Sequence, residues 1–145
     1  MKKRDLPVSR LLDDRWFTKT DRGLVMAASR CPECGTRYFP PKRMCPDCFV
    51  MDGMETVPLS SRGTLYSFTV AELGPPEFEA PYAFGLVDLP EGLRVFTLLV
   101  DCAPFDEKLR IGAEVELSIG PIKRDAFGVQ LIGYRFRPVG KEVRQ

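Results

Sequence analysis

At 145 residues, 44% hydrophobic and 28% charged with a formal net charge of +1, the chain fits one domain, or a small metal-stapled module joined to a modest second one. No run of about 18 apolar residues is present, and the start, MKKRDLPVSRLLDDRW, lacks the apolar stretch of a secretory signal, so a soluble cytoplasmic protein without a membrane span is expected. Histidine is absent, which removes the commonest general base and the usual partner of a Ser or Cys nucleophile and weighs against autonomous catalysis.

Residues 8–20, VSRLLDDRWFTKT, place Val8, Leu11, Leu12 and Trp16 at helical spacing, with Ser9 or Asp5 able to cap the start. This predicts a short amphipathic N-terminal helix. Trp16 and Phe17 are a large apolar payload for so short an element, and they either pack on the chain's own core or dock on a partner protein. Residues 24–29 then read as a strand leading into the cysteines.

The stretch RCPECGTRYFPPKRMCPDCF holds four of the five cysteines as two Cys-x-x-Cys pairs, Cys31/Cys34 and Cys45/Cys48, with ten residues between them. Each pair turns its sulfurs toward one centre, and two such knuckles close a tetrahedron. Four thiolates at tetrahedral geometry suit Zn²⁺ and leave no open position for substrate or water, which describes a structural site. Two disulfides, a redox Cys-x-x-Cys and iron in a rubredoxin-like site are the alternatives; zinc is the expected occupant. A ribbon of this size cannot bury enough apolar surface to fold alone, so the metal must supply its stability. Between the knuckles, Tyr38-Phe39-Pro40-Pro41 reads as a rigid loop that presents aromatic rings outward or onto the neighbouring module, and Lys42-Arg43 follows it.

From Met54 onward the texture is β-rich: residues 55–59, 63–73, 83–88, 94–100, 114–119 and 128–137 are short runs between Gly and Pro punctuation. Leu65, Ser67 and Thr69 alternate with Tyr66, Phe68 and Val70, as where one face is buried. Pro90-Glu91-Gly92 should close a hairpin between the third and fourth runs. Five or six strands in this length fit a small barrel of the OB type. The expected division is a helical segment at 1–29, a zinc ribbon at 30–53 and an OB-fold at 54–145. Residues 74–82, GPPEFEAPY, form a long connection whose prolines forbid strand pairing while Phe78 and Tyr82 stay available for contact. Cys102 follows a strand and reads as an inert buried thiol.

The charge is unevenly placed. Residues 1–50 carry 11 basic and 6 acidic side chains and residues 51–145 carry 10 and 14, so +5 sits against −4. Arg37, Lys42 and Arg43 beside the FPP loop are candidates to hold a phosphate or an acidic partner surface. Zinc ribbons and OB-folds also serve single-stranded nucleic acid, the alternative reading. An acidic barrel half, with GTLYSFTV not interleaved with Lys or Arg, makes nucleic acid the less fitting partner.

Taken together, Cys31, Cys34, Gly35, Phe39, Pro40, Pro41, Cys45 and Cys48, in the form CxxCGxxxFPPxxxCxxC, followed by residues 63–69 (GTLYSFT), Pro81-Tyr82 and residues 109–112 (LRIG), resemble the DUF35 family. The resemblance implies a short N-terminal helix, a rubredoxin-like zinc ribbon and an OB-fold β-barrel. It also implies a non-catalytic companion of thiolases and related acyl-CoA enzymes, one that helps assemble the complex and shapes the channel for CoA or acyl-CoA. The nucleophile and base would belong to a thiolase-type catalytic subunit. In size the chain is similar to stand-alone subunits of degradative bacterial thiolases, the benzoylsuccinyl-CoA thiolase among them. On this reading Trp16, Phe17, Phe39 and Tyr82, with Arg37, Lys42 and Arg43, are the candidate CoA or partner contacts. One departure is visible: the second knuckle reads CPDCF where the family often has glycine, so a different backbone turn is expected at Phe49.

Overall fold

In the computed structural model, which describes residues 9–76, 78, 80–102 and 107–139, the chain is built from strands. In order they are β1 (Ser9–Leu11), a 3-10 turn (Asp14–Trp16), β2 (Phe17–Thr20), β3 (Gly23–Arg30), β4 (Arg37–Tyr38), β5 (Glu55–Pro58), β6 (Arg62–Ala71), β7 (Tyr82–Asp88), β8 (Arg94–Leu99), β9 (Glu114–Arg124) and β10 (Gln130–Pro138). No helix among the described residues is long and apolar enough to cross a membrane.

The expected N-terminal helix is not there. Leu11 belongs to a strand instead: Ser9–Leu11 pair in parallel with Gln130, Leu131 and Ile132, and the Leu12 amide donates to the Ile132 carbonyl at 2.7 Å. Backbone donors that a helix would spend on its own carbonyls go to the edge of β10, and tertiary pairing overrides a pattern too short to nucleate a helix. Only one 3-10 turn remains, fixed by Asp13, whose carboxylate accepts from the Arg15 amide at 3.0 Å and from the Arg15 guanidinium at 2.8 Å. Val8 and Asp5 lie outside the described residues.

Five of the six β runs, now β6 to β10, close a barrel. β6 pairs with β7, β7 with β8, β8 in parallel with β10, β10 with β9, and β9 back with β6. That is the Greek-key closure of an OB-fold. The sixth run, β5, pairs with β3 in a second sheet together with β2 and β4. The β7–β8 hairpin closes where Pro90-Glu91-Gly92 places it, with the Leu89 amide on the Leu93 carbonyl at 2.8 Å and Gly92 at φ +90°.

A bulge in β6 changes what its alternation means. The register against β7 slips between Leu65 and Ser67. Leu65 points inward before the slip, and Phe68 and Val70 pack on the core after it, while Tyr66 turns to solvent. One extra residue moves the inward face from the odd to the even positions, so the strand serves a curved barrel with apolar residues from both sets.

Both sheets share one core. Leu65, Val87, Val115 and Phe136 come from the barrel, and Phe17, Met26, Ala28 and Leu59 join them from the ribbon side. Phe17 is 8% exposed, which corrects its candidacy as a docking group: it is part of the interior. Cys102 is half-buried against the same core, not fully buried as expected.

Candidate metal centre

The two knuckles are built alike. In the first, the Gly35 amide donates to the Cys31 carbonyl at 2.9 Å and the Cys31 amide to the Thr36 carbonyl at 2.9 Å. In the second, the Phe49 amide donates to the Cys45 carbonyl at 2.8 Å and the Cys45 amide to the Val50 carbonyl at 3.1 Å. Each turn aims amides at its leading sulfur: Cys34 N at Cys31 Sγ (3.5 Å) and Cys48 N at Cys45 Sγ (3.4 Å). These donors favour thiolate over thiol. The different turn expected at Phe49 does not occur. Phe49 takes φ +60° and Gly35 φ +75°, because closing the knuckle on its first carbonyl requires a left-handed residue whatever its side chain.

The sulfurs of Cys31, Cys34, Cys45 and Cys48 all lie within 4.8 Å of one another, with Cys31 and Cys45 buried and Cys34 and Cys48 exposed. Bonds of about 2.3 Å to a tetrahedral zinc imply sulfur–sulfur edges of about 3.8 Å, and Cys34 Sγ to Cys45 Sγ measures 3.8 Å. The donor set and its spacing therefore fit a four-thiolate metal.

Electrostatics point the same way. Cys45 is held down to about 6, chiefly by the Tyr38 hydroxyl, which lies 3.4 Å from its sulfur. Cys34 is lowered by the Thr36 hydroxyl at 3.2 Å, and Cys48 is pushed up to about 12, first by its contact with Cys34 and then by burial. Two easily formed thiolates raise the cost of ionising a third beside them, and a divalent cation removes that conflict.

Tyr38 was legible in the sequence only as an aromatic of the FPP loop. Its place on β4 sets its hydroxyl between Cys45 and the Asp47 carboxylate, 3.2 Å away, and raises its own pKa. No local pattern announces that role, since it depends on the first knuckle's hairpin folding over the second.

The other predicted residues divide by location. Phe39, half-buried, meets Tyr134 edge-on at 5.3 Å between centroids, and Trp16 meets both, at 6.3 Å from Phe39 and 6.0 Å from Tyr134. This trio locks the FPP loop to the barrel. Lys42 and Arg43 are exposed beside it, and the Lys42 amide donates to Ser29 Oγ at 2.8 Å. Arg37 is half-buried on β4, and its Nε is buried without a hydrogen-bond partner. Tyr82 lies at the far end of the long connection, between Phe78 (5.4 Å) and Phe84 (6.0 Å), and belongs to a different region from the metal centre.

Comparison with known proteins agrees with this geometry. Residues 27–52 match the family described as ChsH2, rubredoxin-like zinc ribbon domain, and residues 56–120 match ChsH2, C-terminal OB-fold domain. A DUF35 domain-containing scaffold protein of Methanocaldococcus jannaschii is 40% identical over 89% of this chain and 95% of its own. The benzoylsuccinyl-CoA thiolase subunit BbsA of Thauera aromatica is 44% identical over 81% of this chain and 79% of its own. Among solved structures, the Ltp2-ChsH2(DUF35) aldolase superposes with a TM-score of 0.62 at 38% identity, covering 79% of this chain and 84% of that one. With a four-cysteine ribbon packed on an OB barrel and relatives aligned along most of its length, the chain belongs to the DUF35 family.

Proposed function

We propose that this chain is the non-catalytic zinc-ribbon and OB-fold subunit of a thiolase-type acyl-CoA enzyme complex in the cytoplasm. It would hold the complex together and contribute to the path taken by CoA or acyl-CoA. The observation that carries this is the chemistry of its side chains. The sequence contains no histidine, and the four knuckle cysteines converge on one metal position with no side left for a substrate. Such a centre supplies folding stability and rigidity, and the reaction needs a nucleophile and base from elsewhere.

The relatives support the reading: one is named as a thiolase subunit, another as a scaffold, and the superposed structure is an aldolase that includes a DUF35 chain. In this chain zinc on Cys31, Cys34, Cys45 and Cys48 would fix the ribbon, and Arg37, Lys42 and Arg43 would face the acidic partner surface or the phosphates of CoA. Trp16, Phe39 and Tyr82 would act by shaping the surface that the partner meets. Residues 30–53 would be the ribbon and 54–145 the OB-fold unit, whose leading strand β5 pairs back onto β3.

The test is reconstitution with the thiolase-type protein that co-purifies with the untagged chain. The chain alone should show no thiolase, hydratase or hydrolase turnover, and the partner should lose most of its activity without it. Activity in the isolated chain, or a partner indifferent to it, would remove this reading. Replacing Arg37, Lys42 and Arg43 with alanine should weaken the complex in a salt-dependent way, and unchanged affinity would return the cluster to a solvated face.

A further inference from the structure

The four sulfurs of the metal centre are not equivalent. Cys31 Sγ accepts from the amides of Glu33 (3.4 Å) and Cys34 (3.5 Å), and Cys45 Sγ from the Cys48 amide (3.4 Å), with the Tyr38 hydroxyl also at 3.4 Å. Both of these leading cysteines are buried. The trailing cysteines are exposed, and of the two Cys34 has the Thr36 hydroxyl 3.2 Å from its sulfur. Cys48 Sγ has no amide or hydroxyl donor among the described residues, which include the whole ribbon. The knuckles share one backbone turn and differ here for a reason written in the sequence: the second residue after the trailing cysteine is Thr36 in the first and Val50, which carries no hydroxyl, in the second.

A hydrogen bond draws charge from a thiolate and occupies a lone pair that could otherwise attack, so a sulfur without one keeps its full electron density for an electrophile. Zinc, when bound, keeps its sulfurs deprotonated, and a thiolate is the nucleophilic form wherever water and small reagents reach it. Burial closes that route at Cys31 and Cys45. At Cys34 the route is open, but the Thr36 hydroxyl covers part of the sulfur. Cys48 alone is both open and uncovered.

We infer that Cys48 is a modification site for hydroperoxides and that Cys34 is its resolving partner. Cys48 Sγ attacks the terminal oxygen of the hydroperoxide. An S–O bond forms as the O–O bond breaks, the sulfur is oxidised by two electrons to a sulfenic acid, and the remainder leaves with a proton from solvent as an alcohol, or as water when the oxidant is hydrogen peroxide. Cys34 Sγ, the other exposed sulfur of a set lying within 4.8 Å of one another, then attacks the Cys48 sulfur. An S–S bond forms, the S–O bond breaks, and the hydroxide released takes a proton to become water. Only Cys31 and Cys45 then remain as thiolate ligands, and the ribbon loses the stability that four-sulfur binding supplies. A thiol reductant returns both sulfurs. This property belongs to the ribbon itself, whatever enzyme the chain joins.

Serine at any knuckle position removes the metal, so the test keeps all four ligands and replaces only the fifth cysteine, as Cys102→Ser. The full zinc-loaded chain is treated with hydrogen peroxide while a colorimetric chelator follows zinc release. Sulfenic acid is trapped with dimedone, and each cysteine and methionine is mapped by mass spectrometry. Cys48 should carry the first adduct, formed roughly tenfold faster than on any other cysteine. Without dimedone a Cys34–Cys48 disulfide should appear in step with zinc release, and dithiothreitol with added zinc should restore the loaded chain. Thr36→Val, checked for full zinc content, should bring labelling of Cys34 up to that of Cys48. Even labelling of the four cysteines, a first adduct on Cys31 or Cys45, or a disulfide within one knuckle would overturn the inference. So would oxidation confined to the exposed Met44 and Met51 with zinc retained, or unchanged Cys34 labelling in Thr36→Val.

Discussion

Phe49 stands in the second knuckle where Gly35 stands in the first, at φ +60° against φ +75°, each closing its turn with an amide donated to the first cysteine's carbonyl. The fold thus keeps a phenylalanine in a conformation that favours glycine, with its ring 69% exposed and contributing little burial to offset the strain. A left-handed non-glycine residue costs roughly 1–2 kcal/mol, of which glycine's greater unfolded-state entropy returns about 0.5–1 kcal/mol. Phe49→Gly should therefore raise stability by about 0.5–1 kcal/mol, and Phe49→Val, β-branched, should lower it. Thermal unfolding of the zinc-loaded proteins checks this, and an unchanged midpoint in both variants would count against a strained Phe49.

Replacing any one of Cys31, Cys34, Cys45 or Cys48 with serine should leave the ribbon unable to retain metal, because structural zinc carries on the order of 10 kcal/mol or more of folding free energy. Cys102→Ser should retain it. Elemental analysis should give one zinc per wild-type chain. Less than half an equivalent, or an iron absorption band, would overturn the zinc assignment.

Tyr38→Phe should keep the ribbon folded but loosen its metal. The hydroxyl holds Cys45 down to about 6, so in the wild type protons compete for that sulfur only as pH falls through that value. Without the hydroxyl the Cys45 pKa rises and competition begins at higher pH. Zinc release on acidification should have a higher midpoint in the variant, and metal affinity should fall by roughly 10–100-fold, as for other outer partners of metal ligands. Zinc loss followed with a colorimetric chelator across pH decides it; coincident curves would mean that the hydroxyl does not tune the site.

Gly85→Ala should destabilise the barrel. A Cβ there would collide with the Ser67 carbonyl and come within 3.0 Å of the Phe68 Cα, both backbone atoms at the β6 bulge that cannot swing aside. Overpacking of this kind costs about 1–3 kcal/mol. Gly92→Ala, at φ +90° with open space around it, tests conformation alone and should cost only the left-handed strain. Chemical denaturation of both separates crowding from strain, and an undiminished stability in Gly85→Ala would leave no role for crowding there.

The sequence by itself determined whatever is local or periodic. Two Cys-x-x-Cys knuckles at fixed spacing single out the four cysteines arranged to bind a metal before any fold is known, since each turn aims its own sulfurs. Pro90-Glu91-Gly92 and the β runs could be read because turn chemistry and period-2 patterning act within a few residues. Only the tertiary structure decided the rest. Leu11, Leu12 and Trp16 carry a helical spacing that pairing with β10 overrides, and Phe17 turns inward because β2 packs over the shared core. The bulge at Leu65 and Ser67 exchanges the inward positions of β6, which alternation along one strand cannot foretell. Phe39 and Trp16 meet Tyr134 only when the barrel closes. Those contacts join segments far apart in the chain, and their energies depend on a geometry that no short window of sequence contains.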